Sequence, residues 1–218
     1  QAAHPVRDNR ALAWHGHCAP HADKVRDYRK RWQQIELCER GATGNVRDLT
    51  IQIAQNPAML YFLDAQYNVK GAANENFARE VMELFTMGVG NYSEKDVREC
   101  ARAFTGWYFD NLAFKVNPDQ HDGEAKTFLG RNGNFDGVEV LKIIFEQPVT
   151  AEYLAAKIDR FLVRDELSPE LRQKLGAVLR DHHYEIKPLL TVMLSLTPGM
   201  PGRNAQMPRQ IKSIFTPA

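Results

Sequence analysis

The segment from Asn74 to Gly88 constrains the fold more than any other part of the chain. Asn74 suits an N-cap, Glu75 the positive end of a helix dipole, and Gly88 a C-terminal stop. At about 100° per residue, Phe77, Ala78, Val81, Met82, Leu84 and Phe85 fall on one face, and Glu75, Asn76, Arg79, Glu80, Glu83 and Thr86 on the opposite arc. A helix this amphipathic must bury one side against other elements, so the rest of the chain has to supply a core.

The remaining pattern is also mainly helical. Trp14, Val25, Tyr28, Trp32, Ile35 and Leu37 recur at helical spacing between about Val6 and Glu39, interrupted near Cys18 to Pro20, which predicts two helices. Asn45 to Ala54 has a mixed pattern. Asn56 followed by Pro57 reads as a cap and a first-turn proline opening a short helix through Leu63. Ser93 with Asp96 resembles an acidic capping box, opening a helix to about Trp107 with Arg98 and Arg102 turned outward.

Helical periodicity is lost between Tyr108 and Gly133, where Leu112 to Val116 and Lys126 to Leu129 are expected to pair as a small β-hairpin. It resumes in Val138 to Phe145, Ala151 to Val163, Pro169 to Arg180 and Ile186 to Leu196. The expected architecture is therefore a mainly α, multi-helix bundle with a small β-hairpin around residues 112–129. Residues 1–197 form a single helical domain, and residues 198–218 a Pro- and Gly-rich tail.

Composition narrows the functional classes. With 28 Lys and Arg against 27 Asp and Glu, the net charge is +1, which gives no basis for nucleic-acid binding. Apolar runs such as Met59 to Leu63 are far shorter than the roughly 20 residues a membrane helix needs, so no membrane span is expected. The chain opens with Gln1 and no basic-then-apolar leader, consistent with a processed product or an excised fragment. Cys18, Cys38 and Cys100 are too scattered for a metal knuckle. They read as free core thiols, with a Cys18 to Cys38 bridge as the alternative in an oxidising compartment.

Three groups have side chains suited to chemistry. On the central helix, Glu75, Glu80 and Glu83 share a face with Arg79, a pattern suited to cation binding or acid–base work and equally to i,i+4 ion pairs on a solvated surface. His15 and His17, with His21 a turn further on, supply imidazole nitrogens of the kind that bind zinc. The polar loop from Asn117 to Thr127 concentrates His121, Asp122, Glu124 and Lys126, and Asp122-Gly123 also reads as a simple turn. Trp107, Tyr108 and Phe109 suit either a sugar-binding surface or, for Trp107, the core. No nucleophile elbow, P-loop, dinucleotide fingerprint or paired CxxC is present.

These residues also carry a family resemblance. Asn56-Pro57-Ala58-Met59-Leu60 with Leu63-Asp64, then Asn74-Glu75-Asn76-Phe77-Ala78-Arg79-Glu80 running into Met82-Glu83-Leu84-Phe85-Thr86, resemble the bacterial domain-of-unknown-function eighteen-hundred family. Ala101-Arg102-Ala103-Phe104-Thr105-Gly106-Trp107, His121-Asp122, Lys126-Thr127 and Leu129-Gly130 match it as well, in order and spacing. Family members tend to be longer, so the chain looks like their central and C-terminal part. The family's Trp-His-Asn-His-Phe segment stands here as Trp14-His15-Gly16-His17-Cys18.

The resemblance implies a periplasmic or extracellular location and a co-encoded, exported, sulfatase-like partner. It brings no settled activity, but it implies that the polar motif residues form a common site. On that basis the leading expectation is an exported metal-dependent hydrolase acting on envelope or extracellular polymers. His15, His17, Glu80, Glu83 and His121 would hold a divalent metal, Glu75 or Asp122 would act as base, and Arg79 would stabilise negative charge. The rival expectation is a non-catalytic binding or scaffold module that partners the exported protein.

Overall fold

The computed structural model describes residues 24–163 and 166–196. His15, His17 and Cys18 lie outside the described residues, as does the Pro- and Gly-rich tail. Helix α1 spans Tyr28–Gly41, α2 Val46–Ala54 and α3 Pro57–Phe62. Asp27, Asn45 and Asn56 cap them, each accepting a backbone N–H through its side chain, which satisfies donors that a helix start otherwise leaves open.

Helix α4, Glu75–Glu80, is capped by Asn74 and continues as a π-helical turn over Val81–Thr86. Gly88, at φ 79, ends the segment. The wider turn changes which residues face inward. Thr86, expected on the polar arc, is fully buried and donates its hydroxyl to the Val81 carbonyl at 2.6 Å. Leu84, expected in the core, is instead exposed.

Helix α5, Glu94–Ala103, opens with the Ser93/Asp96 capping box. It stops short of Trp107 because Gly106 takes φ 78, where an added Cβ would meet the Asn117 carbonyl oxygen at 2.5 Å. Trp107 instead opens strand β1, Trp107–Asp110, which pairs antiparallel with β2, Ala113–Val116. Strand β3, Lys126–Phe128, pairs with β4, Arg131–Gly133.

The strand segments expected from sequence are both present, but they do not pair with each other. Asn111, at φ 57, closes the first hairpin over two residues. Leu129 and Gly130, at φ 46 and 79, close the second; positive φ at both turn positions matches strand twist in a tight hairpin.

The C-terminal half is helical: α6 Gly137–Glu146, α7 Pro148–Leu162, α8 Pro169–Asp181 and α9 Ile186–Ser195. Its start joins the core closely, since a Cβ on Gly137 would lie 2.4 Å from Trp107 Cζ2. The two halves are also stitched at Asn45, whose Nδ2 donates to the His183 carbonyl at 2.7 Å. An edge-to-face aromatic series runs through the centre. Phe77 meets Phe104 at 4.9 Å, Phe104 meets Trp107 at 4.9 Å, and Trp107 meets Phe114 at 4.8 Å. The amphipathic face of α4 is thereby joined to α5 and the first hairpin, each ring pair adding to area burial through its quadrupole.

Candidate functional site

The polar motif residues gather into two clusters set along α5. The first forms at its start. Arg79 donates to Glu75 on its own helix at 3.0 Å and to both Glu94 oxygens on α5 at 2.9 and 2.7 Å. Arg79 holds the Glu94 carboxyl below its ordinary pKa, and Glu94 in turn raises Arg79. Beside this, the Tyr92 hydroxyl donates to Glu83 at 3.1 Å. Burial, reinforced by that bond, pushes the Tyr92 phenol up to about 12. Glu80 is half-buried, and burial followed by repulsion from Glu83 raises its carboxyl.

The second cluster lies about 12 Å further along α5, eight residues at 1.5 Å each. Arg102, expected to point outward, turns toward the polar loop because Asp122 and Glu99 both face it. Its Nε and Nη2 reach the two Asp122 oxygens at 2.7 and 3.3 Å, and Nη1 reaches Glu99 at 3.0 Å. Glu99 also accepts the Thr127 amide at 2.9 Å, tying strand β3 to the helix. Asp122, only 8% exposed, has its carboxyl lowered chiefly by the Arg102 bond, which outweighs its burial.

Lys126 is 1% exposed, and its Nζ donates to the Asp122 and Glu124 carbonyls at 2.6 and 3.0 Å. Burial lowers its pKa, partly opposed by the Asp122 charge. Thr105, fully buried, donates its hydroxyl to the Arg102 carbonyl and accepts the Asp122 amide. His121 Nδ1 lies 2.9 Å from the Thr105 carbonyl, an oxygen that can only accept, so Nδ1 is the donor of this bond.

The clusters are linked by a residue with no sequence signature. Asn68, 1% exposed, accepts the Asn74 amide on Oδ1 at 2.9 Å and donates to the Ala101 carbonyl at 2.8 Å. Its own carbonyl accepts the Gly106 amide at 2.9 Å. One buried amide thus fixes the start of α4 to the end of α5.

Of the predicted site residues, Glu75 meets Arg79, and Glu80 neighbours Glu83. His121 and Asp122 belong to the separate second cluster. Among the described residues, no group of three or more His, Cys, Asp or Glu side chains is placed to hold a metal ion. The expected imidazole pair, His15 and His17, falls outside those residues. Cys38 and Cys100 are free, buried thiols, and burial pushes Cys38 up to about 11.

Fold and site together define a mainly helical protein whose motif residues join a central amphipathic helix, its neighbour and a polar loop. Residues 1–211 match the family model described as "Protein of unknown function (DUF1800)", and the chain belongs to that family. No match was found among curated proteins or among solved structures.

Proposed function

We propose that this chain is a non-catalytic binding or scaffold module, working outside the cytoplasm beside a co-encoded, exported, sulfatase-like protein. The observation that carries this reading is the engagement of the motif charges with one another. Arg102, Asp122 and Glu99 join α5 to the loop and to β3. Groups held in this way give cohesion and order to a polar network, whereas a general base needs a lone pair directed at a substrate proton.

The surface that supports a partner in this reading is on α1. Tyr28 and Trp32, one turn apart, are 71% and 61% exposed, and Arg29 lies next to Tyr28. Tyr, Trp and Arg are the residue types that dominate binding hot spots. Mixing the purified protein with the exported partner and measuring co-elution tests the reading. The expected result is a complex that Trp32→Ser weakens; separate elution of the wild-type proteins counts decisively against it.

A second reading, the metal-dependent hydrolase of envelope or extracellular polymers, draws on His121. Donation from Nδ1 to a backbone carbonyl is the arrangement that orients imidazole ligands in metal sites. The half-buried pair Glu80 and Glu83 would gain from a cation. Metal analysis of purified wild type, His15→Ala and Glu80→Ala separates the readings: a stoichiometric metal that both variants lose favours the hydrolase, and metal-free wild type sinks it.

A further inference from the structure

The start of α1 concentrates positive charge in a nearly neutral chain. Between Lys24 and Trp32 the cations Lys24, Arg26, Arg29, Lys30 and Arg31 stand against one carboxylate, Asp27, although the net charge of the whole chain is only +1. Counting Asp64, which pairs with Lys24 at 2.7 Å, a surplus of three positive charges remains. A cavity of about 330 Å³ opens at this point, lined by Lys24, Arg26, Asp27 and Lys30 and by Tyr61 from α3. None of these residues belongs to either charged cluster.

Two cations of the cavity already hold carboxylates of this chain, Lys30 on Asp27 at 2.8 Å and Lys24 on Asp64 at 2.7 Å. Arg26 differs: it is exposed, lines the cavity and has no ion pair among the described residues. The aromatic face next to it is ordered before anything binds. Trp32 Nε1 donates to Glu36 at 2.9 Å, and Arg29 meets both Asp27 oxygens at 3.2 and 3.1 Å. Arg29, followed by Lys30, holds the Asp27 carboxyl well below the usual range. The exposed Tyr28 therefore stands between two side chains whose ordering costs little on association.

We propose, resting on the scaffold reading, that the start of α1 and this cavity dock an acidic segment of the exported partner. A carboxylate side chain enters the cavity and takes Arg26, whose planar fork suits it, while an apolar side chain covers Tyr28 and Trp32. The surplus of charge selects an acidic surface by complementarity and speeds encounter. A lipid surface is the poorer fit, because α1 buries its apolar side, Leu37 and Cys38, in the core and has no stripe to sink between lipids. Nucleic acid is poorer too, since its binding draws on a row of phosphate contacts, whereas these cations surround one cavity.

Biolayer interferometry of the full chain against the exported partner, in low and high salt, tests the proposal. Affinity should fall by about tenfold or more on going to high salt, chiefly through the association rate. Arg26→Glu should weaken the complex by about tenfold or more, with an unchanged thermal melt because Arg26 pairs with no described residue. Lys142→Glu, an exposed cation on α6, should leave binding within about twofold as the control for net charge. A complex that Trp32→Ser weakens, but that ignores salt and Arg26→Glu, keeps the scaffold reading and overturns this one. No complex with the wild type overturns both. Binding to phosphatidylglycerol vesicles or polygalacturonate in place of the partner, lost in Arg26→Glu, also overturns it, because the surface then serves a different polyanion.

Discussion

Arg102 grips Asp122 in a two-point bridge, Nε to Oδ2 at 2.7 Å and Nη2 to Oδ1 at 3.3 Å, across twenty residues of chain. The same guanidinium holds Glu99 at 3.0 Å. Removing it leaves two carboxylates facing each other in a largely buried setting. Arg102→Ala should therefore destabilise the protein by about 2 to 3 kcal/mol. For a chain of this size, a thermal midpoint lower by about 4 to 12 °C is the expected reading in calorimetry. A midpoint within a degree of wild type would remove the support this bridge gives to the scaffold reading.

The two buried charges of this cluster should both favour the fold more as pH rises, each in its own pH window. Asp122 has a lowered carboxyl pKa in the fold, so its contribution is complete above the unfolded value of about 3.9 and is lost as pH falls through the folded value. The stability gap between wild type and Asp122→Asn should hold near neutrality and shrink in acid. Lys126 is also lowered, so here too the unfolded chain keeps its proton to higher pH than the folded one. Wild type should then gain on Lys126→Met as pH approaches about 10.4. Urea melts across both ranges check each sign, and a gap that widens in acid contradicts the Asp122 assignment.

What the sequence disclosed about this architecture was whatever is written locally. The Asn56-Pro57 start, the Ser93/Asp96 box and the Asn74 cap each lie within a few residues of the donors they satisfy, and all three appear as read. The strand partners were not legible, because the second hairpin turns on Leu129 at φ 46, a residue without a turn signature. Thr86 and Leu84 exchanged faces because a π turn departs from the 100° step on which the reading rested. The hinge of the candidate site, Asn68, joins segments more than thirty residues apart in one direction. Local pattern contains nothing of such a bond.

Arg79 offers a contrast with Arg102. Its bridges to Glu75 and Glu94 look equally well formed, but the side chains are 36%, 36% and 64% exposed. Solvent and salt screen such pairs, whose typical value is below about 1 kcal/mol. Arg79→Ala should lower the midpoint only slightly, and the difference should fade between low and high salt. A loss as large as that of Arg102→Ala would show that the first cluster is part of the structural core after all.

Gly88 and Tyr153 allow backbone strain to be separated from side-chain crowding. Gly88 sits at φ 79, and a Cβ placed there would lie 2.7 Å from Tyr153 Cδ2. Left-handed backbone alone costs a residue with a Cβ about 1 to 2 kcal/mol, and the overlap adds to it because a packed ring has little room to yield. Gly88→Ala should thus cost about 2 to 4 kcal/mol in the wild type. In a Tyr153→Ala background the ring is gone, along with its hydroxyl bond to the Leu84 carbonyl, and only the backbone part should remain. The difference between the two costs, measured in a double-mutant cycle, isolates the contact. Equal costs in both backgrounds would show that Tyr153 moves aside freely, and that Gly88 is required for its dihedral angle alone.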